Sequence, residues 1–190
     1  MAALAAASVA DELRLPAAVC ELLCGTLPRA SSLDAALRII EQVRQLQLGD
    51  GLLTINVDAT PETAFDIPPG GAGSASDEVV ELQRLWSSNP AAYPLGGRKR
   101  KPMTPWARQL LQRAEVFIGE GDVRLAEVFD DYARIVSLGL HAVINVPLLA
   151  GGRCVATFNV LGSRPAWQLH EILLVRLLAV LAAPWVLAAR

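Results

Sequence analysis

Cysteine is scarce in this chain of 190 residues: Cys20, Cys24 and Cys154 are the whole supply. An odd number without framework spacing excludes the disulfide scaffold of small secreted domains, and a reducing cytoplasm is the expected compartment. Histidine is scarcer still, with only His141 and His170, in separate segments. Cys20 and Cys24 lie four apart with no second ligand pair nearby, whereas a structural zinc wants about four ligands. No metal site is expected, and the two cysteines read as small apolar residues on one helix face. An excess of either charge is also missing: 17 basic residues stand against 19 acidic ones, a net charge of −2. That excludes the basic footprint of a nucleic-acid binder. Met1 to Ala10 lacks the positive start of a signal peptide. The one long apolar run, Ile172 to Ala189, is interrupted by Arg176 and Pro184. A spanning helix wants about 20 apolar residues with few charges, so the run is read as a core or oligomer helix and no membrane partner is expected.

Catalytic signatures are missing as well. No G-x-S-x-G occurs, and the serines cluster in loops. Gly70-Gly71-Ala72-Gly73 lacks the Lys-Ser/Thr and the helix that a phosphate loop needs. No catalytic residue is assigned, and no cofactor is named by the sequence.

What is present is apolar: 53% of the residues are hydrophobic, enough for a sizeable core in one domain. Residues 8–27 read as helical, broken at Pro16 and closed by Gly25 and Pro28. Ser31 or Ser32 caps a clearer helix with Leu33, Leu37, Ile40 and Val43 on one face, and Gly49 ends it. Leu52 to Val57 predicts a strand. The stretch from Asp58 to Asp77, centred on Pro68-Pro69-Gly70-Gly71, predicts a long loop. A second strand of imperfect alternation follows over 78–87. The basic run Arg98-Lys99-Arg100-Lys101 sits among Pro94, Gly96, Gly97 and Pro102 and is read as a solvated loop tip, with contact to an anionic ligand as the other reading. Thr104-Pro105 opens a short helix. Val116 to Ile118 predicts a brief strand. One helix is then expected to carry Leu125, Phe129, Tyr132 and Val136 on a single face. His141–Leu149 and Arg153–Leu161 form a hairpin around Gly151-Gly152, and Ser163 and Pro165 lead into the C-terminal helix. The order predicts an α+β fold, an antiparallel sheet with helices on one face.

The segment from Phe129 to Leu161 resembles a GAF domain. Gly139 stands where a helix of that family ends at a glycine, Pro147-Leu148 where a strand ends in a proline-hydrophobic pair, and Ala156 where the returning strand carries a small residue, usually glycine. The resemblance spans about 32–188 and implies an antiparallel sheet of five or six strands flanked by helices. The resemblance implies an N-terminal helical extension over residues 1–31 and the GAF-like domain over 32–190. It further implies a small-molecule pocket between the sheet and a lid built from residues 93–140. Candidate ligand-binding residues are then Tyr93, Trp106, Phe117, Phe129 and Tyr132 as aromatic walls, with Asn145 and Asn159 as polar groups in apolar strands. The aromatics are equally readable as core. The asparagines can serve a ligand, each other or the backbone: a two-residue turn puts them on opposite sheet faces, a three-residue loop on the same face.

Specialised branches of the family leave no mark here. The spaced Asn-Lys-Phe-Asp-Glu set of cyclic-nucleotide binders is absent, and residues 93–140 hold no cysteine for a bilin or for methionine sulfoxide reduction. The expected function is a non-catalytic sensory module for an unidentified small molecule. With no kinase, cyclase or DNA-binding segment beside it, its output is expected to pass through a partner or a homodimer formed by the terminal helices. Two alternatives stand beside it: an interaction module with a filled pocket, and a thiol-dependent methionine sulfoxide reductase acting through Cys154.

Overall fold

The computed structural model describes residues 13–60 and 79–189. The expected helical start at 8–12, the Met1–Ala10 stretch and the Pro/Gly-rich loop over 61–77 lie outside the described residues. The first helix among the described residues is α1 (Ala17–Glu21), which runs on through a π-helical turn at Leu22–Thr26 and a 3-10 turn at Leu27–Arg29. Pro16 therefore starts this helix instead of breaking it. Proline fits a helix entry because its missing N–H has no partner there anyway.

Helix α2 (Leu33–Leu48) follows. The Ser32 hydroxyl accepts from the Ala35 amide at 3.1 Å, and Gly49 closes the helix at φ +74°. Arg44, 1% exposed, donates to both Glu41 carboxylate oxygens at 2.7 and 2.8 Å and to the Gly49 carbonyl at 3.0 Å. The pair staples the helix end to the chain entering β1 (Gly51–Asp58).

Strands β2 (Val79–Ser87), β3 (Arg98–Pro102), β4 (Phe117–Glu120), β5 (Ala142–Ala150) and β6 (Arg153–Gly162) complete one six-stranded sheet in the order β3-β2-β1-β6-β5-β4, antiparallel at every pairing. The basic run is thus a strand and not a loop tip. Pro147 lies on β5 beyond the last residue paired with β4, so its missing N–H falls where β5 is an edge.

Between β3 and β4 runs α3 (Pro105–Ala107), capped by the Thr104 hydroxyl and prolonged by a π-helical turn at Arg108–Gln112. Between β4 and β5 run α4 (Gly121–Val128) and α5 (Tyr132–Ser137). The single helix expected through Phe129 is interrupted there: Phe129 is extended, at φ −114°, ψ 119°. Gly139, at φ +70°, ends α5 as its position suggested. The C-terminal helix α6 (Leu169–Ala188) begins later than Ser163, at a reciprocal cap between Gln168 and Glu171, and continues through Pro184.

Helices cover both faces of the sheet, not one. On the first face α1, α2 and α6 pack on Leu53, Ile55, Trp86, Ile144, Val146, Phe158 and Val160. On the second, Leu125 of α4 and Ile135 of α5 join Leu52, Val143, Leu161 and Phe117. The strands require this, since Ala156 to Gly162 of β6 are buried without interruption. A strand apolar on both sides needs two covering layers. Helix α6 is long and apolar enough to cross a membrane by length and composition; here its Leu174, Val175, Leu178, Ala179, Ala182 and Val186 are core residues.

Candidate functional site

Two single-residue bulges decide what faces what on the sheet. In β2 the register with β1 steps from Trp86 opposite Ile55 to Arg84 opposite Asn56, leaving Leu85 as the extra residue. Regular alternation would put Arg84 and Trp86 on one face. The bulge separates them: Trp86 joins the α2 side, where its indole N–H donates to Asp34 at 2.9 Å, while Arg84 turns to the second face. This is the cause of the imperfect alternation in the sequence.

The second bulge is in the hairpin. Gly151 and Gly152, at φ +58° and +79°, make a two-residue turn that pairs Ala150 with Arg153. That turn alone would place Asn145 and Asn159 on opposite faces. The register slips between Leu148 and Leu149, leaving Val155 extra, and Asn145 lands directly opposite Asn159. The two amides meet: Asn145 Nδ2 donates to Asn159 Oδ1 at 2.9 Å. Asn145 Oδ1 accepts from Trp106 Nε1 at 3.0 Å, and Asn159 Nδ2 donates to the Thr157 hydroxyl at 3.1 Å and the Thr54 carbonyl at 3.2 Å. A hydrogen-bonded chain thus crosses β5, β6 and β1 from one indole.

Above this chain, between the sheet and α3–α5, lies a cavity of about 80 Å³. Five of the seven predicted residues line it: Tyr93, Trp106, Phe129, Asn145 and Asn159. Phe117 and Tyr132 do not. Phe117 is buried in the second-face core, its ring edge-on to Phe129 at 6.3 Å, and Tyr132 packs against the same cluster. Phe129 reaches the cavity because the helix breaks at it, and it meets Trp106 edge-on at 5.8 Å.

Charged residues outside the seven candidates complete the lining: Arg84 and Asp131, and Lys99 and Lys101 of the basic run, for which contact with an anion was the other reading. Lys99 and Lys101 pair across the strands with Leu82 and Val80, whose side chains belong to the second face, while Arg98 and Arg100 are exposed. The i, i+2 spacing of the two lysines was the available signal, hidden by the run of like charge. Lys99 Nζ bonds Asp131 at 2.7 Å, and Lys101 bonds the exposed Asp130. Burial pushes the Asp131 carboxyl up, but the hydrogen bond and charge of Lys99 outweigh it and hold the group below its ordinary value. Burial pushes the Tyr93 phenol up, and the Asp131 charge pushes it further, so the hydroxyl stays protonated. Burial also lowers Arg84. The Arg84 guanidinium lies over the Tyr93 ring at 4.8 Å.

Cys154 does not line this cavity; it is buried in β6, its thiol 3.3 Å from the Ala156 carbonyl. An attacking thiolate needs exposure. Among the described residues, no three of His, Cys, Asp or Glu come together as a metal would need.

A model of the GAF domain matches residues 33–184. Solved structures of similar fold include the GAF domain of a phosphoenolpyruvate-protein phosphotransferase from Coxiella burnetii, with 13% identity and a TM-score of 0.61 over 91% of this chain and 93% of that one. The nlh2 GAF domain of A. aeolicus in an inactive state is 13% identical, with a TM-score of 0.59 over 90% and 94%. The GAF domain of a two-component sensor histidine kinase from Bacillus halodurans is 14% identical, with a TM-score of 0.57 over 85% and 100%. None of the curated protein sequences compared matches the chain.

Proposed function

The chain belongs to the GAF domain family, sensory and ligand-binding modules of signalling proteins, and we propose that it senses one small molecule in the cavity between the sheet and α3–α5. The supporting observation is the character of that cavity. Its walls are aromatic and aliphatic, from Tyr93, Trp106, Phe129, Leu52 and Val143, with a few polar groups converging on them. Small-molecule sites have this composition. About 80 Å³ of free space is several times the ~10–15 Å³ of such space that one water needs, room for a small molecule. Native mass spectrometry beside the denatured mass tests the reading: a mass lost on denaturation is the ligand. A protein that is apo there, and whose Trp106 emission and melting temperature stay fixed across a panel of small metabolites, refutes it, because a bound ligand must raise stability by mass action.

A second reading concerns output. Leu169, Leu173, Arg176, Val180, Pro184 and Ala188 form a continuous exposed stripe along α6, and Val180 is 68% exposed. Their spacing of three and four keeps them on one face over the whole helix. A second copy paired through α6 would cover this stripe about a two-fold axis. Light scattering at micromolar concentration should give a dimer, and Val180→Glu should give a monomer; a monomeric parent protein removes the reading. Cys20 and Cys24, free and exposed, favour a cytoplasmic setting.

A further inference from the structure

The polar groups of the cavity divide into those already satisfied and those left over. Asn145 and Asn159 are consumed by Trp106, Thr54, Thr157 and each other. Lys99 and Asp131 hold one another, and Lys101 holds Asp130. Among the described residues two groups remain. The Tyr93 hydroxyl, in a residue only 5% exposed, is buried beside Asp131, yet no partner meets it at hydrogen-bonding geometry. The Arg84 Nε–H is likewise buried and unpartnered; the side chain makes one hydrogen bond, from its Nη1 to the Pro94 carbonyl at 3.3 Å, and has no carboxylate partner among the described residues. Both line the cavity, and they lie against each other. Buried polar groups without partners are rare and call for an explanation.

Resting on the small-molecule reading above, we propose that Arg84 and Tyr93 form the recognition site for a small organic carboxylate. Arginine only donates, in a planar fork that suits a carboxylate. Protonated tyrosine adds a further donor. Among the described residues the lining carries three cations, Arg84, Lys99 and Lys101, against one acid, Asp131, so the field favours an anion although Asp131 is close. Opposite the charged strands stand Val143, Ile135 and Leu161. These give a short apolar body somewhere to rest, which an inorganic oxyanion lacks.

Isothermal titration and protein amide NMR with acetate, propionate and butyrate, beside propionamide and inorganic phosphate, test this. A saturable carboxylate site is expected, at least tenfold tighter than for the neutral amide, since a hydrogen bond to a charged group is worth about that factor or more. Arg84→Gln should weaken it tenfold or more, Arg84→Lys should restore part of it, and Tyr93→Phe should weaken it severalfold. Arg98→Gln, an outward residue of the same basic run, should leave it unchanged. Melting curves without ligand separate these effects from loss of fold. Equal binding of carboxylate and amide, unaffected at Arg84, overturns the carboxylate assignment while leaving a ligand cavity in place. Phosphate binding without carboxylate binding overturns it too, as does failure of every carboxylate to shift the amide signals of cavity residues.

Discussion

Replacing Asn159 with alanine removes the middle link of the amide chain under the cavity. Asn145 Nδ2 loses its acceptor at 2.9 Å, and the Thr157 hydroxyl and Thr54 carbonyl lose a donor. Asn145 and Asn159 are 3% and 5% exposed, so bulk water does not simply replace these bonds. An unsatisfied buried group costs about 1–3 kcal/mol. Counting one stranded amide donor and the lost bonds, Asn159→Ala should cost about 2–4 kcal/mol. Asn145→Ala strands the Trp106 indole N–H and Asn159 Oδ1 instead, at a similar cost. The double variant removes both partners of the central bond, so the stranding each single change causes there disappears. Its cost should fall about 1–2 kcal/mol short of the sum, within the 0.5–3 kcal/mol range of coupled neighbours. Guanidinium unfolding with linear extrapolation measures all three. Asn145→Ala should also shift Trp106 fluorescence, because the indole loses its fixed acceptor. Additive costs within about 0.5 kcal/mol would refute the reasoning, since the pair would then not be bonded to each other and the hairpin register would be wrong.

Other consequences follow from individual contacts. The Asp131 carboxyl is held below its ordinary 3.8; a depressed carboxyl contributes stability above the unfolded value and loses it as pH falls through the folded one. Lys99→Met should move the Asp131 titration upward in carboxyl-carbon NMR, and an unmoved titration would show that Lys99 is not its partner. Glu41→Ala should cost about 3–5 kcal/mol in chemical unfolding, because it leaves the 1%-exposed Arg44 as an uncompensated buried charge; a cost under about 1 kcal/mol would mean that water reaches Arg44. Gly139→Ala should lower stability by about 1–2 kcal/mol, since φ +70° strains a residue with a β-carbon.

The elements most legible in the sequence are those whose signal is local. Ser32 and Gly49 bound α2 because a hydroxyl cap and a left-handed glycine act within one turn. The hairpin was readable from two apolar strands around Gly151-Gly152, and five of the seven expected residues do meet at one cavity. Phe117 and Tyr132 fell outside because aromatic composition does not tell a cavity wall from the core beside it. The helix break at Phe129 was hidden because Leu125, Phe129, Tyr132 and Val136 keep helical spacing although the backbone does not. The basic strand was hidden because four consecutive cations mask a period of two.

The deeper reason lies in the two bulges. A single added residue reverses the face of everything beyond it, and nothing about Leu85 or Val155 as residue types marks them as the added ones. Yet the Leu85 bulge allows Arg84 to face the cavity while Trp86, two residues on, anchors β2 to Asp34 of α2. The Val155 bulge allows a tight glycine turn to coexist with Asn145 opposite Asn159. Local rules therefore favour one arrangement of side chains, and tertiary burial selects another. Trp86 and Ile55 fill the core under α2 only if the chain slips at Leu85, and that slip is what leaves an arginine among the aromatics. Bulges gather beside functional sites because they re-aim single side chains without rebuilding a sheet. Arg84 reaches this cavity through such a slip, Lys99 and Lys101 through the hidden strand beside it, and Asp131 through the helix break at Phe129.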